Sequence, residues 1–279
     1  MRKSSISAFV SLLVYIAALT PAFSQQKQDM RFEHLTTENG LSSNQTTIII
    51  KDKRGFVWIG TADAGLNRFD GIHIKTYKAD TLNKNALRND FISCLIEDKE
   101  GKLWVGQFDQ GICLFDPLTE KFKLYKHDDN DPKSLSKGFI NSVYEDREGR
   151  IWITAYGGGL NLYDKKNDNF IHYSYSKDSP TGSINNNSLR DIKQDKNGLF
   201  WIASFGKDND VKSRIQIFDA NTGKFHCLDF TSYIDDEGKE IKIPPRGTDI
   251  VNRIYIDDDD NIWFASYVGA MKYDVKSKK

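Results

Sequence analysis

The chain has 279 residues, of which 39% are hydrophobic, and its 39 basic residues balance its 39 acidic residues. A balanced charge argues against nucleic acid and against an anionic membrane surface as the partner, because both attract proteins with a clustered excess of Lys and Arg. The length and composition suit a globular protein with one sizeable core.

The N-terminal segment, residues 1–24, predicts a cleavable secretory signal peptide. Arg2 and Lys3 precede an apolar run from Ile6 to Leu19, and a short segment from Pro21 to Ser24 ends the run. An uncleaved membrane anchor is the alternative, but the run is shorter than the roughly 20 residues that a spanning helix needs. We therefore expect the mature chain, residues 25–279, to be periplasmic or secreted.

The rest of the chain repeats one pattern five times: an Asp, a Gly three residues later and a Trp six residues after the Asp. All 5 tryptophans lie in this register, and only the fifth copy replaces the Gly, with Asp260. The repeated positions are Asp52, Gly55 and Trp58; Asp98, Gly101 and Trp104; Asp146, Gly149 and Trp152; Asp195, Gly198 and Trp201; and Asp257 and Trp263. A period of about 40 to 50 residues is typical of stacked or radially arranged units.

Each of the first four copies predicts four antiparallel strands, which we name A to D. Strand A has apolar residues six and three positions before the Asp, and the Asp-x-x-Gly segment then forms a turn in which Gly supplies a positive φ. Strand B contains the Trp, and strand D carries a pair such as Ile74 and Tyr77. Strand C begins eight residues after the Trp, except in the fourth copy, where an enlarged loop precedes it. In the fifth copy we expect Asn261, rather than Asp260, to adopt the left-handed conformation.

Such units are the blades of a β-propeller, so the predicted fold is all-β, with four-stranded antiparallel blades and five repeats. We expect the tryptophans to pack between blades as structural residues, because five equivalent sugar-stacking sites would be an unusual design. The predicted blades span about 44–78, 90–126, 138–174, 187–229 and 249–275.

The ends of the repeat region leave two arrangements open. The fifth copy has no strand D, whereas Phe32 and Leu35 carry the spacing of a strand D at residues 31–36, before the first strand A. This N-terminal strand would complete the last blade of a closed five-blade ring and protect its edges. The same strand would also be present if the chain were part of a larger propeller.

The first copy, from Gly40 to Gly71, resembles the two-component regulator propeller repeat, and the resemblance extends over residues 31–274. In that family the repeats form the extracytoplasmic sensor of hybrid two-component histidine kinases. The resemblance implies a soluble glycan-type ligand, and a membrane sensor kinase or the missing remainder of this chain as partner. It implies no enzyme activity here, because the kinase and membrane segments are not among these residues. It leaves a truncated, inert fragment as an alternative, because the family's rings usually have seven blades.

The two faces of the predicted propeller differ. The B–C turns and the D–A links emerge on one face, the link face, and the A–B and C–D turns emerge on the other, the turn face. Variation in sequence and loop length is concentrated on the link face, where a rigid scaffold usually carries its binding residues. We predict that aromatic residues stack on a sugar ring there while charged residues bind its hydroxyls. The candidate residues are Asp109, Tyr156, Phe205, Lys207, Arg214, Arg246 and Tyr267.

Other chemistry has little support in the sequence. The five histidines lack metal-ligand spacing, so that no metal or cofactor is predicted. A glycan-active hydrolase or lyase is the alternative function, with Asp109 and Glu145 as an imagined glycosidase pair. Cys94 and Cys113 lie in apolar strands and are either buried free thiols or a disulfide.

Overall fold

The computed structural model describes residues 32–178, 182–205, 215–228, 232–234, 240–242, 251–267 and 269–273. Within these ranges the fold is all-β, and the only helical element is a single 3-10 turn at Thr37–Asn39. No helix of the described part is long and apolar enough to cross a bilayer. The predicted signal peptide lies outside the described residues.

The five repeats form five antiparallel sheets in chain order, which confirms the predicted β-propeller blades. Blade 1 contains β1 (Thr46–Lys51), β2 (Val57–Thr61), β3 (Leu66–Phe69) and β4 (Ile74–Tyr77). Blade 2 contains β5 (Ile92–Glu97), β6 (Leu103–Gln107), β7 (Gly111–Asp116) and β8 (Lys121–Tyr125). Blade 3 contains β9 (Phe139–Glu145), β10 (Ile151–Tyr156), β11 (Gly159–Asp164) and β12 (Asn169–Tyr173).

The later part of the chain departs from the simple meander. Blade 4 contains β13 (Leu189–Gln194), β14 (Phe200–Ser204), β15 (Ile215–Asp219) and β16 (Lys224–Leu228). A hairpin of β17 (Ser232–Ile234) and β18 (Glu240–Lys242) follows, between the predicted fourth and fifth blades, where no strand was predicted. In the described residues blade 5 has three strands, β19 (Val251–Ile256), β20 (Ile262–Ser266) and β21 (Gly269–Tyr273). Residues 32–36, the described part of the predicted strand D, have no strand assignment.

The hydrophobic core lies between neighbouring blades. Trp58 of blade 1 packs with Leu95 and Phe115 of blade 2, and the Trp58 and Phe115 ring centroids lie 5.5 Å apart. The tryptophans of blades 1 to 4 are almost completely buried. Burial of large aromatic side chains at each junction supplies a major share of the hydrophobic stabilisation.

Among the described residues, no neighbouring blade covers the outermost faces of blades 1 and 5 in this way. Ile49 of blade 1 is 61% exposed, whereas Leu95, at the equivalent position of blade 2, is 2% exposed. On blade 5, Tyr255 is 64% exposed and Trp263 is only partly buried. The interior blades are therefore packed on both faces, and the end blades on one.

A hydrogen bond explains why the Asp and the Trp of each repeat are six residues apart. In blade 3, Asp146 Oδ1 accepts from the backbone N–H of Arg150, and Oδ2 accepts from Trp152 Nε1 at 2.8 Å. The indole N–H thus has a partner inside the core, as a buried donor requires. The same indole bond is 2.8–3.0 Å long in the other four repeats.

The turn of the fifth repeat corrects one prediction. Asp260 has φ 70° and takes the left-handed position that glycine occupies in the other four repeats. Asn261 was predicted there, but its side-chain amide instead donates to Asp257. These hydrogen bonds from Asn261 to Asp257 hold the turn in which Asp260 adopts a strained, left-handed conformation.

A second repeated contact joins neighbouring blades on the turn face. Glu120 in the C–D turn of blade 2 contacts Lys75 and accepts from Tyr77 Oη of blade 1 at 2.9 Å. In the next junction, Asp168 of blade 3 contacts Lys123 and accepts from Tyr125 Oη of blade 2. Both carboxylates project from left-handed residues, so that the C–D turn aims them at the preceding blade.

Cys94 and Cys113 do not form a disulfide in the structure. Cys94 and Cys113 are buried free thiols, and they pack into different inter-blade cores on the two sides of blade 2. Because the sheet separates them, they cannot form a disulfide without rearrangement. Burial raises the pKa of Cys94 to about 11 and that of Cys113 to about 12.

Candidate functional site

Five aromatic side chains from blades 2, 3 and 4 contact one another in sequence on the link face. We name this set the aromatic row: Phe91, Phe108, Phe139, Tyr156 and Phe205. Successive ring centroids lie 5.3, 4.5, 6.3 and 5.3 Å apart. The closest pair, Phe108 and Phe139, is stacked at an interplanar angle of 8° across the junction of blades 2 and 3. The row therefore forms a continuous aromatic surface that crosses two blade junctions.

The repeat register places these residues at matching positions. Phe108, Tyr156 and Phe205 each lie four residues after the Trp of strand B, where the strand ends on the link face. Phe139 is the first residue of β9 and pairs with Tyr156, while Phe91 immediately precedes β5. Each blade thus brings the end of strand B and the beginning of strand A to the same edge.

The exposure of the row suits a binding surface rather than a closed core. Phe108 is 45% exposed, and the other four rings are partly buried. The electron-rich face of an aromatic ring can pack against the C–H face of a sugar. Mutual packing within the row limits side-chain motion, which reduces the entropy lost when a ligand binds.

Arg190, the second residue of β13, lies at the blade 4 end of the row. Its guanidinium carbon is 3.8 Å from the centroid of the Phe205 ring. Burial lowers the pKa of Arg190, and the nearby charge of Arg253 acts in the same direction. The aromatic row therefore ends at a partly buried cation.

A small cleft of about 250 Å³ lies on the link face at the junction of blades 2 and 3. Asp109 lines it, together with His127 and Leu135, and has a left-handed φ of 58°. Asp109 directly follows Phe108 in the chain, so that a carboxylate adjoins the exposed end of the stacked pair. Ser136 also lines the cleft, and its buried hydroxyl has no hydrogen-bond partner.

The structure brings together some of the predicted ligand residues. Tyr156 and Phe205 are direct neighbours in the row, Asp109 lines the adjacent cleft, and Tyr267 lies on the link face of blade 5 with 67% exposure. The predicted Lys207, Arg214 and Arg246 lie outside the described residues. Phe91, Phe139 and Arg190 were not predicted.

A usable signal for the row was present in the sequence. An aromatic residue follows the Trp by four positions in four of the five repeats, and only the first repeat has Ala62 there. Phe91 and Phe139 each stand directly before the first apolar residue of strand A. Neither position by itself distinguishes a ligand contact from a core residue, because the contact depends on the neighbouring blade.

The imagined glycosidase pair is separated by the fold. Asp109 lies in a B–C turn on the link face, whereas Glu145 is the last residue of β9, beside the A–B turn on the turn face. The two carboxylates therefore lie at opposite ends of the strands and cannot flank one glycosidic bond. Among the described residues, no group of three or more His, Cys, Asp and Glu side chains is arranged to hold a metal ion.

A cleft on the turn face is lined mostly by charged residues. It has a volume of about 610 Å³ and lies between blades 2 and 3, with Trp104 at its base. Charged residues line its rim, and Lys165 and Glu100 form an ion pair across it. Opposite charges therefore pair with each other in this cleft.

Comparison with known proteins identifies the repeats. Residues 40–63, 86–109 and 134–157 match the two component regulator propeller, which confirms the resemblance predicted from the first copy. No curated protein matches the chain in sequence.

Solved structures share the fold. The extracellular domain of the hybrid two component system BT3049 from B. thetaiotaomicron is 20% identical, with a TM-score of 0.64, over 88% of this chain and 36% of that chain. The extracellular domain of BT4673 from the same organism is 22% identical, with a TM-score of 0.65, over 89% of this chain and 32% of that chain. Virginiamycin B lyase from Staphylococcus aureus is 12% identical, with a TM-score of 0.51, over 81% of this chain and 79% of that chain. The chain thus spans about a third of the length of the two extracellular domains.

Proposed function

This chain carries two component regulator propeller repeats, and we propose that it is a periplasmic ligand-sensing module of a hybrid two-component signalling system. In this proposal the link face binds a soluble oligosaccharide, and a membrane sensor kinase reads whether the site is occupied. The chain contributes binding and not catalysis.

The aromatic row is the observation that supports this proposal most strongly. It joins three blades with stacked and edge-on rings, and one of these rings, Phe108, is 45% exposed to solvent. An extended aromatic surface next to polar groups such as Asp109 fits a ligand with alternating apolar and hydroxyl-bearing faces. A sugar that crosses the row would contact several blades at once and so favour one arrangement of those blades.

Isothermal titration calorimetry on the full chain tests the proposal. We would titrate a panel of neutral and acidic oligosaccharides of four to six units into wild type and into Tyr156→Ala. We expect at least one oligosaccharide to bind wild type, and its dissociation constant to rise about tenfold in the variant, which lacks a central ring of the row.

A turn-face variant, Lys165→Ala, is the matched control, because it removes an exposed side chain of similar size far from the row. Its dissociation constant should equal that of wild type. Binding by no member of the panel to folded protein, as judged by circular dichroism, would contradict the proposed function. Release of new reducing ends or unsaturated products during incubation would instead support a glycan-cleaving enzyme.

A further inference from the structure

The position of Arg190 in the repeat is occupied by small polar residues in the other blades. Strand A of every blade contains a β-bulge at the residue five positions before the conserved Asp of the repeat. The bulged residues are Thr47, Ser93, Asn141, Arg190 and Asn252. Bulges re-aim a side chain and are frequent beside functional sites.

In two blades the bulged residue joins one blade to the next. Thr47 Oγ1 donates to the carbonyl of Ile92 at 2.6 Å, and Asn141 Nδ2 donates to the carbonyl of Leu189 at 2.7 Å. Arg190 makes no such bond. Its guanidinium instead lies on the ring of Phe205, and its buried Nε has no hydrogen-bond partner.

No carboxylate of the described residues pairs with Arg190. The adjacent Asp191 is buried, and its oxygens accept from Ser142 Oγ at 2.7 Å and from the backbone N–H of Ile254 at 2.9 Å. The groups that act electrostatically on Arg190 are the phenols of Tyr156 and Tyr267 and the cation Arg253. The buried Nε of Arg190 has lost water without gaining a partner, which is costly for a charged group that has no anion beside it.

We propose that Arg190 binds a carboxylate carried by the ligand, so that the link face selects acidic oligosaccharides that contain uronic acid. This inference rests on the proposed function and specifies its ligand class. The planar guanidinium presents paired donors that match the two oxygens of a carboxylate. Phe205 holds it in place from one side, and Tyr156, next in the row, offers a ring for the same sugar or its neighbour.

Carboxyl-reduced oligosaccharides provide the sharpest test. We would titrate tetramers of galacturonate, of mannuronate and of glucuronate-containing hyaluronan into the full chain. Each would be matched with the neutral form in which the carboxylate is reduced to a primary alcohol. We expect at least one acidic member to bind about tenfold or more tightly than its reduced form, as charge-assisted bonds predict. In Arg190→Gln this preference should disappear.

Two further variants keep the test decisive. Arg190→Lys retains the positive charge but lacks the paired N–H donors of the guanidinium, so it should keep only part of the preference for acidic oligosaccharides. It replaces Arg190→Gln if that variant does not fold. Arg147→Gln removes an exposed arginine on the turn face, whose guanidinium donates to the carbonyl of Lys196, and should bind as wild type does.

The failure of this inference differs from the failure of the proposed function. If neutral forms bind as tightly as acidic ones, or if Arg190→Gln keeps the full preference, the assignment of Arg190 is overturned while oligosaccharide binding stands. If no member of the panel, neutral or acidic, binds the folded protein, both are overturned.

Discussion

The turn face and the link face of the propeller use the same repeat in opposite ways. On the turn face, five Asp–Trp hydrogen bonds recur with lengths of 2.8–3.0 Å. On the link face, equivalent positions carry different residues, as at the bulge, where Asn141 joins two blades and Arg190 does not. The recurrent Asp and Trp residues therefore form the scaffold, whereas Arg190 departs from the repeat at the candidate site.

The largest effect is expected from the scaffold tryptophans. Trp152→Ala should lower the free energy of unfolding by about 3 to 5 kcal/mol, because it empties an aromatic core site and removes the indole hydrogen bond to Asp146. Urea denaturation followed by fluorescence or circular dichroism measures this loss. Trp263→Ala, at a partly buried and equivalent site, should lose clearly less. Equal losses for the two would contradict the view that inter-blade burial stabilises the repeat.

A smaller stability loss is expected from the carboxylate of the same motif. Asp146→Ala removes the acceptor of the Trp152 indole and should cost about 2 kcal/mol, since the indole donor remains buried without a partner. Asp219→Ala is the matched control, because Asp219 caps an exposed C–D turn and should cost less than about 1 kcal/mol. If the control lost as much as Asp146→Ala, the buried indole bond would not be the reason.

Link-face substitutions should separate binding from stability. Phe108→Ala removes a partly exposed ring and should lower the free energy of unfolding by only about 1 kcal/mol. The same change should raise the dissociation constant of a bound oligosaccharide about tenfold. Denaturation and calorimetry on one preparation measure both quantities. A large stability loss with unchanged binding would reverse the assignment of the two faces.

The smallest expected effect is a pH dependence from Asp52. Burial by itself would raise the pKa of Asp52, but hydrogen bonds from Trp58 and Phe56 outweigh it and hold this pKa below its usual range. The stability from this carboxylate is therefore present above the unfolded pKa of about 4 and is lost as the pH falls through the folded value. The stability difference between wild type and Asp52→Asn should thus shrink as the pH is lowered from 7 to 3.

Denaturation at several pH values measures that difference. Asp109→Asn is the control, because its carboxylate accepts no hydrogen bond from the described residues, and this substitution should have little effect on the free energy of unfolding. If the difference in free energy of unfolding between wild type and Asp52→Asn increased at acidic pH, the role of the ionised carboxylate would be contradicted.

Much of the scaffold was predictable because local chemistry determines it. The turn glycines and the apolar periodicity of strands A to D place nearly all strands of the described blades. The left-handed conformation of Asp260 was not predicted. The prediction considered the strain of a left-handed Asp but not the hydrogen bonds that Asn261 donates to Asp257. The hairpin of β17 and β18 was missed because its strands are only three residues long.

The candidate site was less predictable because it is built between blades. Tyr156 and Phe205 could be predicted because they are aromatic residues of B–C turns. Phe139 would be interpreted from the sequence as a core residue, since only the structure shows that Phe108 of blade 2 stacks on it. From the sequence alone, Arg190 would be interpreted as a solvated residue of strand A. No residue pattern predicts the bulge that turns its side chain toward Phe205. Such contacts depend on the relative placement of segments far apart in the chain.

Hydrogen–deuterium exchange of the full chain, with and without the tightest-binding oligosaccharide, tests most directly whether the two faces have separate roles. We expect the ligand to slow exchange in the link-face segments 107–111 and 137–141. Exchange in the turn-face segments 98–102 and 146–150 should stay the same. Protection confined to the turn-face segments, with no change along the aromatic row, would contradict the account.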